Sequence, residues 1–201
     1  METIHWDPRL AVGDQLRRWC SLAVSPGVVR VVFAGEAERE RLGWRDLEPW
    51  TRSRAVTVAD VRSALESAAL DAALCCDLVY LRTGVELRTG QGEATPGLLW
   101  ALGRAGRSAL ARGLLDPRAM TAAEALGIGL AHAVVDVDEG LPLPTGASLT
   151  ALTTARDIAR SAPSARLALE LASFRLIFAS GDPGEGARAF LERRPPEFGE
   201  D

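Results

Sequence analysis

Apolar residues recur with helical spacing at two places in the chain. From Val12 to Ala23 they fall at i, i+4, i+7 and i+11, so they line one face of an amphipathic helix. The segment SPG at 25–27 is typical of the end of such a helix. A second stripe with the same spacing runs from Leu167 to Phe178 and predicts a further helix near the C-terminus.

Four other segments have the composition of short strands. VVRVVFAG at 28–35 and AVTVADV at 55–61 are rich in β-branched residues and contain few polar ones, which is typical of buried strands. LVYL at 78–81 and AHAVVD at 131–136 predict two more.

Helical sequence separates the predicted strands. The alanine-rich segment 63–77 predicts a helix with Ser63 as its N-cap. The glycine-rich segment TGQGEATPG at 89–97 precedes further helical sequence, and Thr121 with Glu124 forms a T-x-x-E capping box that opens a short helix. Because strands and helices alternate, the sequence predicts an α/β fold of parallel βαβ units.

The clearest internal boundary lies at DEGLPLPTG, residues 138–146, which holds two prolines and two glycines. The sequence after it is helical. We therefore expect an α/β core over residues 1–140 and a helical C-terminal region over residues 141–201.

The last helix carries explicit start and stop signals. Asp182 fits an N-cap, Pro183 the first helical position and Glu185 the partner in a capping box. The two prolines at 195–196 predict the end of this helix after Arg194.

Composition and charge narrow the function classes. The 201 residues are 47% hydrophobic and 25% charged, as in an ordinary globular protein. The net charge is −4, lysine is absent and the arginines are scattered among acids, which argues against a nucleic-acid partner. The N-terminus lacks the pattern of a secretory signal and no segment is long and apolar enough to span a bilayer, so we expect a cytoplasmic protein without a membrane partner.

The residues that could bind a metal are sparse. Cys20, Cys75 and Cys76 have no ligand spacing, and the two histidines, His5 and His132, lie far apart. We therefore expect reduced thiols, no metal and no other resident cofactor. His132 is expected to pack or to lie at the surface.

Three stretches resemble the crotonase (enoyl-CoA hydratase/isomerase) superfamily. They are ALDAALCCDLVYL at 69–81, MTAAEALGIGLAHAVV at 120–135 and DPGEGARAFLERRPPEF at 182–198. They occur in the family's order, and the similarity extends from about Val12 onward. The resemblance implies a crotonase-like core of ββα units and a C-terminal helical region that assembles homotrimers or hexamers.

The resemblance also implies a substrate and a way of activating it. The substrate would be an acyl thioester, on coenzyme A or on an acyl carrier protein, whose carbonyl becomes an enolate held by two backbone N–H groups. The matching positions here are Trp44 and Ala68. Because the segment GWRD carries one residue more than the family's turn, Arg45 is the alternative to Trp44. A helix N-terminus can supply such donors, because its first N–H groups are unpaired.

Asp71 matches the position of one of the family's two acidic residues, which handle water and the α-proton. Its neighbours are Ala and Leu, so we expect its ionisation to be disfavoured, which suits a general acid/base near neutral pH. The second acid falls on Gln91 or on Glu93, depending on where one gap is placed. Among the other acids, Asp60 and Glu66 are expected to face solvent or cap a helix, and Asp77 to bind nearby backbone.

The segments GWRDL, LDAAL and GEATPG are similar to a narrower group, the short, atypical crotonase homologues of bacterial polyketide and nonribosomal peptide pathways. In the family, an aromatic and a basic residue of the terminal helix lie near the ligand, and Phe190 and Arg193 match those types. Hydration or dehydration of an enoyl thioester is the leading expectation. The alternatives are decarboxylation or isomerisation within the same fold, and a non-catalytic auxiliary subunit.

Overall fold

Short apolar strands form two small sheets in the first part of the chain. The structure, a computed structural model, describes residues 1–22, 27–35, 42–89, 95–116, 118–143, 148–160 and 175–198. The chain divides into two compact units, Met1–Leu141 and Pro142–Asp201, and each is described by itself.

The larger sheet of the first unit is parallel throughout, with strand order β1-β2-β3-β5-β8. Its strands are β1 (Glu2–His5), β2 (Val28–Phe33), β3 (Val56–Val61), β5 (Leu78–Arg82) and β8 (Ala133–Val135). A second sheet contains β4 (Leu65–Glu66), β6 (Glu86–Arg88) and β7 (Met120–Thr121), with β6 parallel to β4 and antiparallel to β7. The four predicted strands are confirmed as β2, β3, β5 and β8.

Helices connect these strands and follow them in the second unit. Those of the first unit are α1 (Val12–Leu22), α2 (Trp44–Thr51), α3 (Ser67–Leu74), α4 (Pro96–Leu115) and α5 (Ala122–Gly127). The second unit contains α6 (Leu149–Arg160) and α7 (Asp182–Glu192). The predicted α/β class with a parallel sheet is confirmed, whereas the predicted helix from Leu167 to Phe178 lies largely outside the described residues. Among the described helices, none combines the length and the apolar character that a membrane span requires.

Four buried aromatic rings attach α1 and α2 to one face of the larger sheet. The ring centroids of Trp6 and Phe33 lie 5.5 Å apart, and those of Trp19 and Trp50 lie 5.6 Å apart. All four side chains are buried. Each such pair adds about 0.5–1.5 kcal/mol to the energy of area burial, so the cluster defines where these helices sit.

The sheet also buries a charge that the sequence interpretation assigned to solvent or to a cap. Asp60 on β3 is completely buried; Arg82 Nε donates to its Oδ1 over 2.8 Å, and Arg62 Nε to its Oδ2 over 3.0 Å. The Arg30 guanidinium also donates to Oδ2. The expectation for Asp60 is therefore wrong, because the neighbouring strands β2 and β5 bring Arg30 and Arg82 to this carboxylate and Arg62 joins them from the end of β3.

Two other expectations for polar residues are confirmed. Asp77 Oδ2 accepts hydrogen bonds from the backbone N and from Oγ1 of Thr57, at 2.8 and 2.9 Å, and so links β5 to β3. His132 is exposed at the surface, as one of its two expected roles requires, and its Nδ1 accepts from the backbone N of Val79 over 3.0 Å.

The start of α3 differs from the prediction. Residues up to Glu66 belong to β4, which pairs with β6, so the helix begins four residues after Ser63. Ser63 does not cap the helix, and its Oγ donates to the carbonyl of Gly35 instead. The capping box of Thr121 and Glu124 on α5 is confirmed.

The start of α7 also differs from the prediction. Gly181 is the N-cap residue, so Asp182 is the first helical residue, and its carboxylate accepts from the Ser148 hydroxyl. Glu185 accepts from Arg194 over 2.6 Å and from the backbone N of Glu197 over 2.8 Å, which ties the chain after the helix back onto it. The predicted capping box is therefore wrong, since both acids bind groups outside the first turn.

Candidate functional site

The N-terminus of α3 is an unusual turn made by a non-glycine residue. Ser67, the first residue of the helix, has φ +51°, in the left-handed region. That conformation costs about 1–2 kcal/mol for an L-residue, and such strain concentrates at functional sites. Ala68 follows directly, is 1% exposed, and lies in the first helical turn, where the helix's own ladder leaves N–H groups without a partner.

Asp71 lies one turn further along α3, where every residue from Ala68 onward is buried. Its exposed fraction is 3%. The first turn of α4 packs against it so closely that a Cβ atom on Gly97 would lie 2.4 Å from the Cα of Asp71. A glycine is therefore required at position 97 for the two helices to approach each other.

The Asp71 carboxyl group is held by the N-terminus of α4. The backbone N of Gly97 donates to its Oδ1 over 3.0 Å, and the hydroxyl of Thr95 donates to the same oxygen. Thr95 is also the N-cap of α4, and its Oγ1 accepts from the backbone N of Leu98. Among the described residues, both hydrogen bonds to this carboxyl group thus end on Oδ1.

This environment changes the acidity of Asp71. Burial raises its pKa from 3.8 to about 6, while the hydrogen bonds from Thr95 and Gly97 act in the opposite direction. The expectation that ionisation is disfavoured here is confirmed. A carboxyl group with this pKa holds both protonation states in useful amounts near neutral pH, as a general acid/base must.

Trp44 lies at the N-terminus of α2, as Ala68 lies in the first turn of α3. It is the first helical residue after the N-cap Gly43, whose backbone N donates to Asp46 Oδ2 over 2.9 Å. The Trp44 indole is 41% exposed, and its centroid lies 5.6 Å from that of Trp100, in the second turn of α4. The N-terminus of α2 therefore lies beside the same end of α4 that holds Asp71.

The structure thus places Trp44 and Asp71 against the N-terminal part of α4, and Ala68 on α3 one turn before Asp71. Gln91 and Glu93, the alternatives for the second acid, lie outside the described residues. Phe190 and Arg193 belong to the second unit; Phe190 is 83% exposed and Arg193 ends α7 with a left-handed φ of +53°. The functions of all seven residues stay predictions.

Sequence reasoning missed the part that α4 contributes. Thr95, Pro96 and Gly97 form a recognisable signal, because Thr suits an N-cap and Pro the first helical position. This signal predicts where the helix starts, but it does not reveal which side chain the cap residue binds. Within the described part of the chain, no group of three or more His, Cys, Asp or Glu residues could hold a metal ion.

Comparisons with known proteins agree with this architecture. The chain is 31% identical to a probable enoyl-CoA hydratase of Mycobacterium tuberculosis over 169 residues, covering 72% of this chain and 63% of the relative. It is 28% identical to the 2,3-dehydroadipyl-CoA hydratase of Escherichia coli over 211 residues, covering 89% of this chain and 80% of the relative. The mycobacterial relative is thus matched over less than two thirds of its length. No model of a known protein family matches the sequence.

Solved structures show the same fold. A crystal structure of a probable enoyl-CoA hydratase/isomerase from Mycobacterium abscessus superposes with a TM-score of 0.82 at 21% sequence identity, covering 99% of this chain and 93% of that one.

Proposed function

Since this chain belongs to the crotonase (enoyl-CoA hydratase/isomerase) superfamily, we propose that it acts on an acyl thioester, by hydration of an enoyl thioester or the reverse dehydration. The observation that carries this proposal is the buried Asp71, with its pKa raised to about 6 beside the N-terminus of α4. The similarity to hydratases indicates the class of substrate, and Asp71 supplies a group suited to proton transfer.

In this reaction, water adds across the Cα=Cβ bond of the thioester. Electron density moves to the carbonyl oxygen, and an enolate oxyanion forms. The backbone N–H groups of Trp44 and Ala68 donate to this oxygen. Both belong to first helical turns, so their donors are oriented before the substrate arrives and the helix dipoles favour negative charge there.

Asp71 handles the proton. As a carboxylate it accepts a proton from the attacking water, whose oxygen bonds to Cβ, and the proton is then delivered to Cα. Gln91 or Glu93 orients the water or the substrate. The side chain of Asp is one methylene shorter than that of Glu, so its position relative to the substrate depends on where the backbone of α3 lies. The close contact between α3 and α4 at Gly97 fixes that position.

The acyl carrier and the oligomeric state of the protein belong to the same proposal. The acyl group is carried by coenzyme A or by an acyl carrier protein, and the segments GWRDL, LDAAL and GEATPG favour a bacterial polyketide or nonribosomal peptide pathway. Phe190 and Arg193 contact the acyl chain or its carrier in a homotrimer or hexamer. Exposed apolar residues in the second unit are compatible with such an interface, namely Leu176, Phe178, Phe190 and Leu191.

The test is turnover of crotonyl-CoA, followed as loss of the conjugated enoyl absorbance. The wild-type protein is expected to hydrate it, and Asp71→Asn is expected to lower kcat on the order of 10²–10⁴-fold, the usual contribution of a general acid/base. Asp14→Asn is the matched control, because Asp14 lies exposed on α1 in an ion pair with Arg17. Unchanged turnover in Asp71→Asn would show that this carboxyl group does not transfer the proton.

One observation favours a second candidate function. The Asp71 carboxyl group accepts hydrogen bonds from the first turn of α4, which is also what a purely structural helix cap does. A decarboxylase, an isomerase or a non-catalytic auxiliary subunit would retain that contact and the two backbone donors without needing a pair of acids.

Binding separates these alternatives. Butyryl-CoA, a saturated thioester that cannot be hydrated, is expected to change the fluorescence of the exposed Trp44, and Trp44→Phe is expected to remove that change. Binding without turnover of crotonyl-CoA would favour decarboxylation or isomerisation. Co-purification with a synthase, together with no turnover of any thioester, would favour the auxiliary subunit.

A further inference from the structure

Thr95 supplies the side-chain hydrogen bond to the Asp71 carboxyl group. Its hydroxyl donates to Oδ1, and the backbone N of Gly97 donates to the same atom over 3.0 Å. None of the described residues donates to Oδ2. Both hydrogen bonds from the start of α4 therefore hold the same oxygen, Oδ1.

The Thr95 hydroxyl is itself held in place. As the N-cap of α4, its Oγ1 accepts from the backbone N of Leu98 over 3.4 Å, so its proton is directed away from the helix and toward Asp71. A chain of hydrogen bonds therefore runs from the Leu98 amide through the Thr95 hydroxyl to Oδ1. Each link polarises the next in this partly buried environment.

From this geometry we infer that Thr95 is a positioning residue, which holds Oδ1 of Asp71 so that Oδ2 exchanges the proton with the substrate. The inference rests on the proposed acid/base function of Asp71 and adds the residue that orients it. The hydroxyl also favours the charged form of the carboxyl group, in opposition to burial, which keeps the pKa from rising further.

The deciding variant is Thr95→Val, which preserves the shape of the side chain and removes the hydroxyl. A hydrogen bond to a charged group typically changes a pKa by about one unit or more. The limb of the kcat/KM profile that reports Asp71 is therefore expected to move about one pH unit upward in Thr95→Val. Thr95→Ser retains the hydroxyl and is expected to restore the wild-type profile.

The matched control is Thr121→Val on α5. Thr121 is also an N-cap, with Oγ1 accepting from the backbone N of Glu124 over 3.2 Å, but its side chain is exposed. This variant loses a cap in the same way, so it reports the cost of cap loss alone. Its pH profile is expected to match that of the wild type, and a profile that moves as far as that of Thr95→Val would overturn the inference.

A second measurement does not depend on activity. The ¹³C carboxyl resonance of Asp71, assigned by its loss in Asp71→Asn, can be titrated in each variant. Its midpoint is expected near pH 6 in the wild type and about one unit higher in Thr95→Val. Should Thr95→Val fail to fold, Thr95→Ala is titrated in its place and the same upward shift is expected.

The two measurements separate the inference from the proposed function. If no enoyl thioester is turned over but the Asp71 midpoint moves in Thr95→Val and not in Thr121→Val, the proposed function fails and the coupling between Thr95 and the carboxyl group stands. If turnover occurs but neither the profile nor the midpoint moves, Thr95 has no part in positioning Asp71.

Discussion

Replacing Asp71 by Asn is expected to stabilise the folded protein at neutral pH while it removes the proposed proton-transfer group. Asn has nearly the shape of a protonated carboxyl group, and its carbonyl oxygen can still accept from Thr95 and Gly97. What the variant removes is the cost of burying a negative charge at a site that is 3% exposed.

The magnitude follows from the raised pKa. Asp71 titrates at about 6 in the folded protein against 3.8 without its surroundings. Each unit corresponds to about 1.4 kcal/mol, so the ionised carboxyl group destabilises the fold by about 3 kcal/mol at pH 7. For a chain of this size, that free energy corresponds to a melting-temperature increase of roughly 6 to 12 °C in Asp71→Asn.

The pH dependence has a definite sign. The folded pKa lies above the ordinary value, so the stability contributed by protonated Asp71 is fully present below pH 3.8 and is lost as the pH rises through about 6. The free energies of unfolding of wild type and Asp71→Asn should therefore be nearly equal at pH 4 and diverge up to pH 7. Urea denaturation followed by tryptophan fluorescence at several pH values measures this difference.

Asp60→Asn is the opposite case and serves as the control. Burial would raise the pKa of Asp60, but hydrogen bonds from Arg82, Arg30 and Arg62 outweigh it and lower the pKa. Its contribution is therefore present above the ordinary carboxyl pKa and lost as the pH falls, and Asp60→Asn should cost about 3–5 kcal/mol at pH 7. If Asp71→Asn were destabilised as Asp60→Asn is, or if its gain did not vary between pH 4 and 7, the reasoning about Asp71 would be refuted.

Three other substitutions test particular features of the structure. Gly97→Ala should destabilise by more than about 1–3 kcal/mol in urea denaturation, because its Cβ would lie 2.4 Å from the backbone of α3. Ser67→Gly should stabilise by about 1 kcal/mol, since glycine adopts φ +51° without strain, and a loss of stability would show that the Ser side chain is needed. Glu185→Gln should speed proteolytic trimming of the C-terminus, because Glu185 binds Arg194 and the backbone N of Glu197. Glu48→Gln, which removes the ion pair with Arg52 on α2, should not.

The local elements of the fold were predictable where their patterns were long enough. The helix α1 follows from the apolar stripe that starts at Val12, and β2 and β3 follow from continuous β-branched runs. The strands β1, β4, β6 and β7 were not predicted. They have two to four residues each, too few to show a period, and the partner strand alone makes them part of a sheet.

Asp60 shows why a buried charge escapes prediction. The sequence places it in a strand, and a lone acid among apolar residues is most simply assigned to solvent or a cap. Its partners Arg30 and Arg82 are separated from it by 30 and 22 positions, and only the pairing of neighbouring strands brings them to one carboxylate.

Some features of the candidate site follow from the sequence, and others depend on the tertiary structure. The sequence by itself determined the class of fold, the family resemblance and the position of Asp71 among small apolar residues, because local composition and spacing carry that information. The tertiary structure decided that Gly97 admits close approach of α4, and that Thr95 donates to the carboxyl group. Hydrogen-bond partners and burial depend on contacts between segments distant in the chain. The burial raises the pKa of Asp71 to about 6, against the opposing effect of the hydrogen bonds from Thr95 and Gly97.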